Sequence, residues 1–261
     1  MGCITLMTDF GASDHYVGVL KGVIHALAPE VKVIDITHDV RAHDVLHAAF
    51  ILRQVWNWYP AGTVHLAVAD PGVGSRRRIL AGKYGGQYVV APDNGLISMV
   101  HREVPIEDLR VVENLRFCLP VISATFHGRD IMAPVAAYLA RGQNLREFGP
   151  ATDRLEVLQI EWATSHAHGG VAGSVLYVDR FGNLVTNIRK DDLIRTCRQR
   201  ADAQVYVNGH CVGPLRTCYA DVAAGASLAL IGSSDYLEIA VNRGRAAEVL
   251  ACGVSAPVEV K

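Results

Sequence analysis

Cys3-Ile4-Thr5-Leu6-Met7, then Thr8-Asp9-Phe10-Gly11-Ala12-Ser13-Asp14, then Tyr16 through Leu27, is the stretch on which the fold of this chain turns. The first five residues are apolar or β-branched and read as a buried strand. The next seven are polar, include a glycine, and read as a loop. From Tyr16 the residues Tyr16, Val19, Leu20, Val23, Ile24 and Leu27 recur at helical spacing until Pro29 ends the pattern. The unit is strand, loop, helix.

The same alternation continues outward. Residues 31–36 (VKVIDI) read as a second strand, 44–58 as a second helix closed by Pro60 and Gly62, and 64–68 (VHLAV) as a third strand. Strands alternating with helices argue for a parallel α/β sheet. Two short strands follow at 79–83 and 87–91, a turn at 92–95, and a helix from about Asp130 to Ala140 that ends near Gly142. After Pro150 the texture changes. Short alternating runs (SVLYVD, LVTNI, AQVYVNG, LALIG, YLEIAV) are separated by Gly, Asn and Asp with little helical periodicity. The expected organisation is therefore an α/β domain with a mostly parallel sheet over 1–155 and a small all-β domain, sandwich or barrel, over 165–261. At 261 residues the chain is near the size where one core gives way to two.

Composition narrows the partners. The formal net charge is −1 and the two signs are mixed, so no basic field is offered to nucleic acid or to an anionic membrane. No apolar run approaches the ~18 residues of a membrane span. The N-terminus lacks a basic region followed by an apolar segment and a cleavage site. A small-molecule substrate fits that charge balance better, and Cys3, Cys118, Cys197, Cys211, Cys218 and Cys252 form no CxxC pair, which points to reduced thiols in a cytoplasmic protein.

In open parallel sheets ligands gather beyond the carboxyl ends of the strands. The loops richest in chemistry follow the first three strands: TDFG, THD and DPGVGSRR. In Asp70-Pro71-Gly72-Val73-Gly74-Ser75-Arg76-Arg77-Arg78 an acid ends a strand, glycines allow close backbone approach, and guanidinium groups follow. The loop lacks the Lys-Ser/Thr ending of a P-loop, which argues against a nucleoside triphosphate. Thr125-Phe126-His127-Gly128-Arg129-Asp130 sets a histidine ahead of a helix, and Asp179-Arg180-Phe181-Gly182-Asn183 reads as a hairpin turn. His38, Asp39, His43, Asp44 and His47 invite a metal reading, since His43 and His47 are four apart. The pair lacks the HExxH acid, and its helix needs Leu46 and Phe50 for the core. A half-exposed helix start, with Asp44 near the dipole, accounts for the cluster without a metal.

TDFG, ITHDV, HLAVADPGVGSRRR, APDNGLIS, TFHGRDIMAP, VDRFGNLVTNI and SSDYLEIAVNRG occur in that order along the chain. Together they resemble the S-adenosyl-L-methionine hydroxide adenosyltransferases, relatives of the fluorinase and chlorinase. The resemblance implies an N-terminal α/β domain, a C-terminal β-barrel, and a homotrimer with active sites between the N-domain of one subunit and the C-domain of its neighbour. It implies hydrolysis of S-adenosyl-L-methionine to adenosine and L-methionine, with no metal and no cofactor. By the same resemblance Asp70, Arg77 and His127 handle the water, Asp9 holds the ribose hydroxyls, and Phe126 flanks the reacting carbon. Asp179 is similar to the carboxylate that pairs with the methionine ammonium, Asn183 to the side chain that reads adenine, and Ser233 to the residue that binds the methionine carboxylate. Phe181 and Tyr236 complete the implied substrate contacts.

The departures from the family bear on the nucleophile. Asp70 stands where halogenating relatives have an aromatic hydroxyl, and Gly128 where the fluorinase has a halide-binding serine. Ala42 and His43 replace a proline and an aromatic or acidic residue, which leaves the ribose and base wall there open. For hydrolysis, Arg77 can favour a hydroxide-like water, His127 can accept or relay its proton, and Asp70 can orient both. The leaving group is a neutral thioether that needs no acid. Two other readings share these motifs: a halogenase of the same family, and a sulfonium-binding regulatory module with little turnover.

Overall fold

In the computed structural model, which describes residues 2–166, 169–197 and 203–261, β1 (Cys3–Thr8) runs parallel to both its neighbours, β2 (Lys32–Thr37) and β3 (Val64–Val68). β4 (Ile79–Tyr84), β5 (Gln87–Pro92) and β6 (Ile106–Val111) complete a six-stranded sheet in the order β2-β1-β3-β5-β4-β6. β5 is parallel to β3, and β4 alone runs against its neighbours, so the sheet is mostly parallel. β1 and β3 are apolar on both faces because helices cover both. On one face Ile4, Leu6, Leu66 and Val68 share a core with Leu20 and Ile24 of α1 (Tyr16–Leu27) and Val135 and Leu139 of α4 (Ala133–Ala140). On the other, Met7 and Ala67 meet Leu52 and Trp56 of α2 (Val45–Trp56) and Val100 of α3 (Ser98–Glu103). Each fully buried Leu or Ile contributes roughly 2 kcal/mol.

The chain divides into two compact units between Leu158 and Gln159. In the second, β8 (Val171–Val178), β9 (Leu184–Arg189), β10 (Gln204–Val207), β11 (His210–Arg216), β12 (Ser227–Ile231), β13 (Tyr236–Val241) and β14 (Pro257–Val260) form a closed seven-stranded barrel. The β14–β8 pairing closes the ring, and β7 (Thr164–Ser165) lies outside it against β8. Alternate residues such as Val205, Val207, Leu237, Ile239, Val258 and Val260 fill its core. Closure resolves the choice between sandwich and barrel. No helix of the described residues is long and apolar enough to cross a membrane.

Several elements differ from the sequence reading. The helix expected from Asp130 opens instead as a π-helical turn over Gly128–Met132 that runs into α4. Pro134 has no N–H for an i→i−4 bond, which is one reason for the irregular start. α3 has six residues, too few for a period to show, and β6 (IEDLRV) carries the charges of an edge strand. β11 contains Gly213 and Pro214, which read as punctuation. α5 (Lys190–Cys197) and α6 (Ala246–Val249) were hidden in a region of strand-like texture.

One polar chain crosses the first core. Thr5 Oγ1 and His65 Nδ1 are 2.7 Å apart, His65 Nε2 is 2.8 Å from Gln87 Oε1, and Gln87 Nε2 donates to the Trp56 carbonyl at 3.0 Å. The imidazole is fully buried and stacks on the Trp56 indole at 4.5 Å. Burial drives its pKa down to about 4, with Gln87 opposing. The unfolded chain protonates this histidine near pH 6.5 and the folded one does not, so stability is lost as pH falls from about 6.5 to about 4. The full loss is on the order of 3 kcal/mol. We expect His65→Leu to lower the melting temperature at pH 8, by leaving Thr5 Oγ1 and Gln87 Oε1 without their imidazole partner, and to flatten its decline between pH 6.5 and 4. Parallel melting profiles for the two proteins would disprove the linkage.

Candidate active site

The loops that leave β1 and β3 are tied together at their roots. The Asp9 N–H donates to the Val68 carbonyl at 3.2 Å, which carries the β1–β3 pairing up to the residues before Asp70. Asp9 Oδ2 accepts from the His43 N–H at 3.0 Å, and His43 sits at φ +66°, a left-handed conformation uncommon for a residue with a side chain. Asp9 Oδ1 is left to accept from another donor. In the rest of the histidine cluster, several groups serve the fold. His38 Nδ1 lies 2.9 Å from Thr8 Oγ1 and its Nε2 3.2 Å from Asp35 Oδ1. Asp44 caps α2 by accepting from the His47 N–H at 2.9 Å, and His47 Nδ1 accepts from the Arg41 N–H at 3.0 Å. Among the described residues no group of three or more His, Cys, Asp or Glu is arranged to hold a metal ion.

Asp70, Arg77 and His127 come together as one linked set. Arg77 Nε donates to both Asp70 oxygens, at 2.8 and 2.9 Å, and Arg77 Nη2 donates to Asp70 Oδ2 as well. The two side chains are 9% and 5% exposed, so this is a nearly buried pair rather than a solvated one. Arg77 Nη2 also lies 2.9 Å from His127 Nδ1. An arginine can only donate, so Nδ1 is the acceptor and the neutral ring carries its proton on Nε2. Burial first, then the Arg77 charge, hold the His127 pKa below its ordinary value against Asp70 and Asp130. The imidazole is thus a neutral donor through Nε2.

Neighbouring residues pin this geometry. Gly74, at φ +79°, has the Ala124 carbonyl oxygen 2.5 Å from where a Cβ would be, so the two loops meet backbone to backbone. Buried Asp130 accepts from the Ser123 N–H at 2.8 Å and from Arg129 Nε at 2.6 Å, holding the loop ahead of His127. Asn94 Nδ2 donates to the Ala69 carbonyl at 2.9 Å. The three consecutive arginines divide their work: Arg76 is exposed, Arg77 joins Asp70 and His127, and Arg78 binds Asp93 at 2.8 Å and the Arg154 carbonyl at 2.8 Å. Phe126 stands in an aromatic group with Phe10 (5.8 Å) and Tyr16 (5.3 Å), both edge to face. Phe10 and Tyr16 were not singled out in the sequence, where Tyr16 reads only as a helix-face apolar residue. At Gly128 a Cβ would lie 3.3 Å from Val68 Cγ1.

The barrel carries a second group. Phe181, Asn183, Tyr219, Val241, Arg243, Gly244 and Arg245 line a cavity of about 440 Å3. Phe181 is 75% exposed, a large flat apolar face open to a ligand. Asp179 sits at the base of this turn and hydrogen-bonds Asn183. Tyr219 and Arg245 are the lining residues that the motifs did not indicate. Tyr219 donates to Glu238 Oε1 at 2.5 Å, and burial together with Asp179 raises the Glu238 pKa against that bond. Ser233 and Tyr236 are not in the cavity lining. Tyr236 opens β13 and pairs with Arg189, whose guanidinium lies 5.6 Å from its ring, whereas Val241 closes the strand at the cavity. Six residues of strand, roughly 17 Å, separate the two ends.

Residues 4–149 match the family model described as the SAM hydroxide adenosyltransferase N-terminal domain, and 173–259 that of the C-terminal domain. A protein of Thermus thermophilus named (R)-S-adenosyl-L-methionine hydrolase is 36% identical, over 98% of this chain and 98% of its own. A fluorinase of Nocardia brasiliensis, matched over 98% of this chain and 96% of its own, is 27% identical. A crystal structure of an uncharacterized conserved protein from Thermotoga maritima superposes with a TM-score of 0.93 at 37% identity, covering 98% of this chain and 99% of that one.

The close approach at Gly74 makes a prediction for His127. Gly74→Ala must move the loop off the Ala124 carbonyl and strain a positive φ, which costs roughly 1–3 kcal/mol and draws Arg77 from His127. With the guanidinium further off, the His127 pKa rises toward its ordinary value. Titration followed by imidazole NMR should show that rise, together with a lower melting temperature. A His127 midpoint identical to that of the parent would break the proposed connection between the two loops.

Proposed function

Because this chain belongs to the SAM hydroxide adenosyltransferase family, with both family domains matched in order, we propose that it hydrolyses S-adenosyl-L-methionine to adenosine and L-methionine. The names of its hydrolase relatives specify the R configuration at sulfur, and the proposed substrate carries it. The observation that carries the mechanism is the 2.9 Å contact of Arg77 with His127 Nδ1, since it leaves Nε2–H as a donor rather than a base. A water oxygen that accepts from Nε2–H is held with its free lone pair available for C5'. Orientation of this kind converts a bimolecular encounter into a positioned one worth several kcal/mol. As the O–C5' bond forms, the C5'–S bond breaks, its electron pair returns to sulfur as a neutral thioether, and the proton on the attacking oxygen leaves to solvent.

Asp9 offers its free oxygen to the ribose hydroxyls, and Phe126 with Phe10 and Tyr16 forms an apolar wall for the reacting carbon. The adenine sits in the barrel cavity on Phe181 and Tyr219, read by Asn183. Asp179, Ser233 and Tyr236 serve the methionine end, as the motif resemblance implies. The assembly is a homotrimer on the same ground, and the cytoplasmic setting is supported by the free cysteines among the described residues, Cys3, Cys118, Cys211, Cys218 and Cys252. A halogenase is the second reading, supported by fluorinase relatives at lower identity. Against it stands the crowding at Gly128, where a serine would press on Val68, and the Asp70 carboxylate beside the nucleophile.

In oxygen-18 water the label should enter the 5'-hydroxyl of adenosine, with no 5'-chloro nucleoside even at high chloride. His127→Ala should lower kcat by about 10²-fold with KM little changed, while His127→Asn, which retains a donor, keeps most of the activity. Equal losses in the two variants would restore a general base, and unlabelled adenosine would remove water as the nucleophile.

The proposed chemistry uses no metal, since the water contacts are a guanidinium and an imidazole beside a carboxylate that is already paired. Turnover should survive EDTA. Loss of activity that zinc or magnesium restores would return attention to His38, His43 and His47.

A further inference from the structure

The turn Asp179–Asn183 holds its own side chains in a defined orientation. The Asn183 N–H donates to Asp179 Oδ1 at 2.8 Å, and Asn183 Nδ2 donates to Asp179 Oδ2 at 2.9 Å. The main chain closes the same loop, with the Asp179 N–H donating to the Asn183 carbonyl at 3.1 Å and the Gly182 N–H to the Asp179 carbonyl at 3.0 Å. Gly182 sits at φ +83°, with Arg245 Cβ 2.8 Å from where its Cβ would be, so the turn is clamped from behind as well. Asn183 is buried to within 6% and lines the cavity.

An ionised carboxylate only accepts hydrogen bonds. The amide of Asn183 therefore has one permitted orientation, NH2 toward Asp179, because a flip would set Oδ1 against a carboxylate oxygen. The carbonyl Oδ1 and the second N–H remain as the edge offered to a ligand. That edge complements a ring carrying an exocyclic amine next to an acceptor nitrogen, the pattern of a 6-aminopurine. A 6-oxopurine presents an oxygen in place of the amine and meets Oδ1 acceptor to acceptor. An unrestrained asparagine would answer by turning over.

We infer that Asp179 is a specificity-determining positioning residue: by fixing the Asn183 amide it makes the barrel cavity select 6-amino over 6-oxo purine nucleosides. The inference rests on the adenine seat proposed above. It assigns Asp179 a task at the base, independent of any contact with the amino-acid half of the substrate, since adenosine and inosine lack that half.

Calorimetry of adenosine and inosine binding to the full-length enzyme tests this. The parent should prefer adenosine by at least about tenfold, the range of one good two-point base contact. Asp179→Asn, whose amide can meet either orientation of Asn183, should bring the two affinities within a few-fold of each other, and Asn183→Ala should also abolish the preference. If Asp179→Asn does not fold, Asp179→Ser, whose hydroxyl both donates and accepts, gives the same readout. Undiminished preference in the Asp179 variants, or in Asn183→Ala, overturns the inference. So does a parent enzyme that binds the two nucleosides equally while still hydrolysing S-adenosyl-L-methionine. A parent that prefers adenosine yet releases none from the sulfonium would sink the hydrolase reading and leave the selectivity standing.

Discussion

Gly74 has no Cβ, and the Ala124 carbonyl oxygen lies 2.5 Å from where one would be. That approach lets the loop after β3 and the loop before α4 touch backbone to backbone, and the linkage of Asp70, Arg77 and His127 depends on it. Arg77 reaches back to Asp70 on its own loop and across to His127 on the other. A guanidinium is suited to both at once: it is planar, always charged, and has donors to spare after saturating a carboxylate. A lysine could hold Asp70 as a point charge but would not fix the imidazole tautomer with the same geometry. Buried Asp130, Asn94 and the Arg78–Asp93 pair then keep the loops from relaxing apart.

Much of this was legible in the sequence. The strand-loop-helix reading of residues 3–27 carries over to β1 and α1 within a residue, because the apolar spacing is dense and Pro29 stops it. DPGVGSRR stood out because it combines an acid, glycines and cations where a parallel strand ends, and ligands collect there, and TFHGRD because it sets a histidine beside a glycine just ahead of a helix. Which arginine does what was not legible. Arg76, Arg77 and Arg78 are chemically identical neighbours, and only the path of the loop sends one to solvent, one to His127 and one to Asp93. The orientation of Asn183 was hidden for a similar reason, since its meaning lies in a side-chain torsion set by Asp179. Tyr219 reaches the cavity from a short helical turn after β11, with no local pattern to announce it.

The two groups share a design. In each, an aspartate at the end of a strand uses both carboxylate oxygens on one partner of its own loop, Arg77 for Asp70 and Asn183 for Asp179. The acid removes a freedom from its partner, a swing of the guanidinium in one case and a flip of the amide in the other. Ordering these side chains during folding, rather than at the moment of binding, lowers the entropy cost of recognition.

This arrangement also bears on the choice of nucleophile. Asp70 and Arg77 offset one another, so the pair presents donors without a strong net positive field. A water molecule needs only that: donors to hold its oxygen, and a lone pair left toward carbon. A halide must shed a full hydration shell, and a pair without a net positive field does little to repay that cost. Gly128 adds a steric term, because the space for a serine side chain is bounded by Val68, Phe126 and Leu20. Charge and shape thus favour water over halide for separate reasons, and relieving either one alone would leave the other in force.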